Sequence, residues 1–547
     1  MNDSSLARRE FLQAGAAAAL ASPLAATALG ASPVGATAPA PARHGRDIEE
    51  ATIAELQADM ADGRLTARGL VRRYLDRIRQ IDRRGPRLNS VIELNPDAES
   101  IARDLDRERR QGRVRGPLHG IPILLKDNID TADRMMTTAG SLALAGPAPA
   151  QEATVAARLR AAGAVVLGKT NLSEWANFRS THSSSGWSGR GGQTRNPYVL
   201  DRNPCGSSSG SGAAASANLC AAAVGTETDG SIVCPAGANG VVGLKPTVGL
   251  TSRAGVVPIA HSQDTVGPHG RTVADAAAVL GALASTQADP RDPATTEHRD
   301  QVFSDYAQFV DPDGLAGARI GVARAGVTGY SEETDRVFDA GIEAMRDAGA
   351  VVVDPADIPT IDQVNAGSEE VTVLVFEFLR DLDAYLATRS GVPIATLADA
   401  VAFNQEHADE ELKWFGQEWF ELAASDPFSE AEYQAALAEA RRIGGPDGID
   451  AVLGQHRLDA IVAPTGSPAW PTDLVNGDHF LGGSSAPAAI AGYPLISVPA
   501  GDAFGLPVGV TFMGSAFSEP TLIRLASGFE HVTAARRKPD FVPTLDT

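Results

Sequence analysis

The sequence predicts an α/β fold built around a largely internal sheet. Two observations carry that expectation. Short apolar runs of strand length alternate with helical stretches along most of the chain, the signature of α/β layering. Those runs are apolar at successive positions rather than at alternate ones, as strands covered on both faces are.

The elements follow in order. Residues 1–42 are set aside as a targeting segment. Ala7-Arg8-Arg9-Glu10-Phe11-Leu12 pairs two arginines ahead of an apolar residue, the pattern of a twin-arginine export signal, and no charge follows from Phe11 to Ala42. Pro23, Pro33, Pro39 and Pro41 and the weak hydrophobicity of alanine argue against a spanning helix. Export to a periplasm or beyond is therefore expected, with cleavage after Ala-Thr-Ala at 26–28 or 36–38. From Ile48 to about Gln111 the pattern is helical. Leu65-Thr66 opens a helix over 67–81, where Leu70, Val71, Tyr74, Leu75, Ile78 and Ile81 recur at helical spacing. Buried strands are expected at 121–125, 164–167, 351–353, 460–463, 495–499 and 507–513. Helices are expected at 155–162, 213–224 and 273–284. The stretch 371–443 is helical and charge-rich without strands, and reads as an insertion or cap.

Composition narrows the function. Hydrophobic residues make 43% and charged residues 21% of the 547 positions, which excludes disordered and fibrous classes. The 47 Lys and Arg against 68 Asp and Glu leave a net charge of −21. Such a surface repels phosphate backbones and no basic cluster interrupts it, so no nucleic acid partner is expected. No run inside the body reaches spanning length, so no stable membrane anchor is expected. The 3 cysteines cannot form a disulfide framework or a four-thiolate zinc site.

Two motif matches fail on physical grounds. Gly163-Ala-Val-Val-Leu-Gly168-Lys169-Thr170 satisfies the phosphate-loop pattern, but a helix precedes Gly163 and the residues between the glycines form a strand. A phosphate cradle needs the reverse order, so Gly163 reads as a helix C-cap. Gly206-Ser207-Ser208-Ser209-Gly210 matches a nucleophile elbow at Ser208, yet a proline-punctuated loop stands where that elbow requires a strand. There is no Ser-x-x-Lys and no His-Glu-x-x-His, and His119, His261 and His269 sit alone in Gly/Pro-rich loops. No metal site and no cofactor are expected.

The chemistry concentrates between Arg195 and Thr247. A serine/glycine loop, 205–212, is followed by a small-residue helix and a second loop, Gly225-Thr-Glu-Thr-Asp-Gly-Ser231-Ile232. Glycines at that density among apolar neighbours imply close backbone approach, as oxyanion holes require; flexible connection is the plainer alternative. The chain holds five lysines, and Lys126, Lys169 and Lys245 each end an apolar run. An unshifted lysine is neutral in about four molecules per ten thousand at pH 7. Burial lowers that pKa and makes a base available; carbonyl capping is the structural alternative.

Gly120-Ile121-Pro122-Ile123-Leu124-Leu125-Lys126-Asp127-Asn128, Cys205-Gly206-Ser207-Ser208-Ser209-Gly210-Ser211, the 225–232 loop and Gly243-Leu244-Lys245-Pro246-Thr247 together resemble the amidase signature family, in its order and spacing. Cys205, Ser209, Glu227 and Asp229 depart from that family's usual loop wording, while both serine positions are kept. The resemblance spans residues 47–541 and implies one large domain, a mixed central sheet covered by helices on both faces. It implies a triad of Lys126, Ser207 and Ser231. Ser231 would be the nucleophile, and Ser207, after a cis peptide, would relay its proton to neutral Lys126. Backbone N–H groups of Thr228, Asp229, Gly230 and Ser231 would form the oxyanion hole, with Ser208 supporting the loop. The wording most resembles enzymes that cleave the C-terminal amide of peptides; an aryl- or alkyl-amide hydrolase and a non-catalytic periplasmic binding protein are the alternatives. A small-molecule or peptide amide is thus the expected partner, and a monomer is the simplest assembly.

Two geometric conditions follow. A helix over 213–224 is about 18 Å long, so segment 225–230 must double back for Ser231 to meet Ser207. Cys205 and Cys234 flank the serines and become neighbours if they meet. Export would allow a disulfide between them, but twin-arginine substrates fold first in a reducing cytosol, so free thiols are the favoured expectation.

Overall fold

The computed structural model describes residues 47–297 and 299–545; the expected export signal lies outside the described residues. Its strands are β1 (Val91–Leu94), β2 (Pro122–Lys126), β3 (Val165–Thr170), β4 (Ala222–Glu227), β5 (Val242–Lys245), β6 (Thr265–Gly270), β7 (Arg319–Val322), β8 (Val351–Val353), β9 (Ala460–Pro464), β10 (Leu495–Ala503) and β11 (Leu506–Met513). They form one 11-stranded sheet in the order β1-β3-β2-β4-β6-β5-β10-β11-β9-β7-β8. The sheet is mixed. β3, β2 and β4 run parallel to one another, as do β9, β7 and β8, and the strands between are antiparallel.

Every residue of β2, β3, β4, β5, β6, β9 and β11 is buried. Successive side chains of a strand point to opposite faces, so both faces of the sheet are covered. One apolar cluster packs around β2, β3 and β4 with the helix Ala67–Arg77; a second packs around β7 and β9 to β11 with the helices Val273–Leu283 and Glu519–Thr533. The helix Ala67–Arg77 begins where the spacing placed it, capped by the Thr66 hydroxyl. Gly163 takes φ +84° between the helix Thr154–Ala161 and β3, as a C-cap does.

Three expectations are corrected. Residues 213–224 are not one helix: the helix Ser209–Ser216 stops, Asn218 turns at φ +58°, and β4 starts at Ala222. Alanine is a strong helix former, but this run lies between β2 and β6 and its hydrogen bonds go to them. The chain therefore turns back at Asn218 and returns along β4, whose end already includes residues 225–227. The helical reading of residues 48–111 missed β1, an edge strand on β3. β6 was hidden because Gly267, Pro268 and Gly270 are turn residues; yet Pro268 sits opposite Val224 in the interior of the sheet.

Between β8 and β9 the chain is helical, with Glu369–Leu386, Leu397–Glu406, Glu418–Ala424 and Glu430–Gly444 among its helices. These helices bury Trp175 and Phe178. Phe178 stacks on Trp419 at 5.6 Å between ring centroids, and Trp175 meets Phe420 edge-on at 5.4 Å. Beneath them Arg179 is fully buried, 2.7 Å from Glu174, and its guanidinium lies 4.4 Å from the Phe415 ring.

Candidate active site

Lys126 is the last residue of β2, and Thr226 and Glu227 end the neighbouring β4. Because these strands are parallel and Leu125 pairs with Val224, their C-terminal ends emerge side by side, where open α/β sheets bind ligands. Lys126 Nζ lies 2.8 Å from Ser207 Oγ, 2.8 Å from Thr226 Oγ1 and 3.3 Å from the Thr226 carbonyl oxygen. Asn128 donates to the same Thr226 hydroxyl at 3.0 Å. Lys126 has no exposed surface. Burial brings its ammonium down to about 7, while the Asp264 and Glu227 carboxylates pull it the other way.

Ser207 follows a cis peptide bond from Gly206. Ser208 ties the two loops together: its N–H donates to the Ser231 carbonyl at 3.1 Å, and its hydroxyl donates to the Thr226 carbonyl at 3.0 Å. Gly225 must be glycine here, since a Cβ would stand 2.6 Å from Ser208 Oγ. Ser207 and Ser231, 24 positions apart along the chain, are thus held on neighbouring loops. Lys169 and Lys245 are not part of this cluster. Lys169 donates to the Ile129 and Met136 carbonyls and the Thr137 hydroxyl, and Lys245 to the Tyr493 carbonyl at 2.5 Å, so both are buried carbonyl caps.

The loop carrying Thr228, Asp229, Gly230 and Ser231 is pinned at each step. Glu227 accepts from the Ile232 and Val233 amides at 2.6 and 2.9 Å, closing the loop on itself. Thr228 donates its hydroxyl to Asp264 at 2.5 Å, and Asp229 accepts from Ser485 at 2.5 Å. Gly230 takes φ +74°, where an L side chain is strained. Among the described residues, the N–H groups of Gly230 and Ser231 donate to no protein acceptor.

Cys205 and Cys234 are joined in a disulfide, with Cα atoms 6.0 Å apart, correcting the expected free thiols. Convergence of the two loops sets this separation inside the window a disulfide needs. Cys220, the remaining cysteine, is free and buried. The bridge lines a cavity of about 130 Å³ beside Asp229 and Gly230, with Asn177, Trp470, Asp478 and Phe480 on its walls. Trp470 lines this cavity, while Trp175, Phe178 and Trp187 belong to the core under the helical stretch.

Sequence reasoning missed Thr226, Asp264, Asp478 and Ser485. The first sits inside the quoted loop; the other three reach the site from distant segments and carry no motif. His261, Glu377 and Asp381 also come within 4.8 Å of one another, a grouping invisible to sequence spacing. Glu377 already accepts from the Ser262 amide and the Tyr433 hydroxyl, and Asp381 from His261.

Against known proteins, the amidase family model matches residues 69–523. A probable amidase of Arabidopsis thaliana is 43% identical over 502 residues, covering 90% of this chain and 92% of that protein. The chain belongs to the amidase family, and it is a hydrolase acting on amide C–N bonds. Within that family, the solved structure of native peptide amidase from Stenotrophomonas maltophilia superposes with a TM-score of 0.85 at 53% identity, covering 90% of this chain and 99% of that one. The same holds for a peptide amidase structure in complex with the competitive inhibitor chymostatin, at TM-score 0.86, 53% identity and the same two coverages.

Proposed function

We propose that this amidase is a serine amidohydrolase of the Ser–cis-Ser–Lys type that removes the C-terminal amide of peptides. The observation that carries this reading is the contact of a fully buried Lys126 amine with Ser207, at 2.8 Å, in a setting that favours the neutral amine. Ser231 attacks the substrate carbonyl and forms an acyl-enzyme. Its proton passes through Ser207 to Lys126 and then returns to the departing nitrogen, since an amide expels its amine only when that nitrogen is protonated. The Thr228 to Ser231 amides receive the developing oxyanion. Water then attacks the ester, releasing the acid and freeing Ser231. Support for a peptide substrate comes from the likeness to peptide amidase.

The test is ammonia release with conversion of a peptide amide to its acid, followed by mass spectrometry, for wild type and for Ser231→Ala and Lys126→Ala. Each variant is expected to lose on the order of 10⁴-fold or more in kcat while keeping its circular dichroism spectrum. Turnover of aryl or short aliphatic amides with none of peptide amides would shift the assignment to an acylamidase. An unchanged Ser231→Ala would leave only ligand binding.

We also propose export by the 1–42 segment. The disulfide suits an oxidising compartment. Replacing Arg8 and Arg9 with lysine is expected to hold the protein in the cytosol, as cell fractionation would report.

A further inference from the structure

A second cavity, of about 1050 Å³, has His261, Ser262 and Asp264 on one wall, with Asp381 and Tyr385 of the helix Glu369–Leu386 beside them. There His261 Nδ1 lies 2.9 Å from Asp381 Oδ2 and 3.4 Å from Glu377 Oε2. Glu377 and Asp381 stand four positions apart on that helix and so share a face. Ligand atoms held about 2.1 Å from one cation stand roughly 3.0–3.4 Å apart at adjacent octahedral or tetrahedral positions, so both edges have the length that a shared ion sets. The charges do not balance without one. The Glu377 side chain is fully buried, and its other partners are the neutral Ser262 amide and Tyr433 hydroxyl. Among the described residues, the positive charge paired with Glu377 or Asp381 is that of His261, present only when the ring is protonated. The arginines on the cavity wall are engaged elsewhere or solvated: Arg253 closes on Asp292 and also donates to the His261 carbonyl, Arg389 lies against Asp130, Arg291 against Asp289, and Arg441 is exposed. Buried carboxylates are paired or coordinate a metal. A separate observation points the same way. Ser262 is buried on this wall, and its hydroxyl has no hydrogen-bond partner among the described residues, an orphan that a bound ion or its water would satisfy.

We propose that His261, Glu377 and Asp381 hold a divalent cation of the Zn²⁺ or Co²⁺ kind, which fastens the segment carrying Asp264 to the helix Glu369–Leu386. A ring nitrogen beside two carboxylates is a donor set for first-row transition ions, whereas Ca²⁺ and Mg²⁺ take oxygen ligands. Tyr433 fixes Glu377 by its hydrogen bond at 2.7 Å, the outer support that ligating carboxylates have. The effect reaches the 228–231 loop. Asp264, three residues after His261, accepts from the Ile259 and Ala260 amides and from the Thr228 hydroxyl. The ion is structural: it carries no step of the hydrolysis and is independent of which residue is the nucleophile.

The experiment strips the full chain with a chelator and titrates it at pH 7.5 with Zn²⁺ by calorimetry and with Co²⁺ by visible absorption. One ion per chain is expected to bind and to raise the thermal midpoint by about 2 °C or more at saturation, with Mg²⁺ and Ca²⁺ giving no rise. His261→Ala and Asp381→Asn, both at partly exposed side chains, are each expected to weaken binding at least about tenfold, as is Tyr433→Phe, which removes only the hydroxyl that supports Glu377. Circular dichroism of the stripped variants checks that each is folded; Asp381→Asn keeps the shape of its side chain and decides the matter if His261→Ala does not fold. Absence of Zn²⁺ and Co²⁺ binding to wild type would leave an ordinary ion pair and overturn the proposal. Binding that Asp381→Asn and Tyr433→Phe leave unchanged would belong to another site and overturn it equally.

Discussion

At the scale of residues, the decisive quantity is the protonation of one amine. Lys126 ends a strand whose every residue is buried, and burial, partly offset by the Asp264 and Glu227 carboxylates, brings its pKa from the ordinary lysine range to about 7. The sign of the pH dependence follows. On the proposed mechanism the charged amine cannot accept the serine proton, so activity is expected above the pKa and lost below it. The acid limb of kcat/KM is expected close to pH 7, falling about tenfold per unit below it, and a pH–rate profile on a neutral amide reads it directly. A limb near 4 with full activity at pH 5 would remove Lys126 from the role of base. Glu227 acts at one remove, through the two amides it accepts from. Glu227→Ala is expected to lower kcat at least tenfold with little change in KM, and Glu227→Gln to recover much of that loss. A fall in KM and kcat together with the thermal midpoint would mean that the residue only holds the fold.

At the scale of elements, the site is a meeting of two loops, and its supports are covalent as well as polar. The disulfide closes a sequence separation of 29 between the residue two before Ser207 and the residue three after Ser231. A chain-entropy estimate for a loop of that length is roughly 3–4 kcal/mol. Denaturant unfolding of Cys205→Ser/Cys234→Ser is expected to show a loss of that order, and its kcat is expected to fall because the loops are freer. Thiol titration of the unfolded, unreduced wild type should count a single thiol, that of Cys220; three thiols would show that the bridge does not form. The elements also show where local sequence misleads. The alanine run after Ser211 has helical propensity, yet its second half is a central strand, because register with β2 and β6 outweighs a preference of a few tenths of a kcal/mol per residue.

At the scale of the whole molecule, the helical stretch before β9 is locked to the sheet by the buried Arg179, which pairs with Glu174 and donates to the Glu411 carbonyl. Removing one partner of a buried pair typically costs about 3–5 kcal/mol, so Arg179→Ala is expected to lose stability on that scale in chemical denaturation. A loss below 1 kcal/mol would mean that the stretch is held by its aromatic contacts instead. The net charge of −21 makes a second molecule-wide expectation: raising salt should lower kcat/KM for cationic amides more than for neutral ones, since screening weakens the attraction that gathers them.

Much of this was legible in the chain itself. Period and composition placed six strands and the α/β class, because a strand buried on both faces must be apolar at every position. The glycine-dense 205–212 and 225–232 loops marked the chemistry, because backbone crowding demands glycine wherever it occurs, and the family resemblance picked Lys126 out of three lysines that each end an apolar run. Other features had no local signature. β6 hides behind Gly267 and Pro268, β1 behind a helical neighbourhood, and Asp264, Asp478 and Ser485 reach the loops from segments with no motif. Only the tertiary structure decided that Lys169 and Lys245 cap carbonyls while Lys126 lies against Ser207, and that Cys205 and Cys234 are bonded. A residue type and its neighbours along the chain determine what a group is able to do; which group stands beside it, and how dry that place is, comes from the packing of strands far apart in sequence.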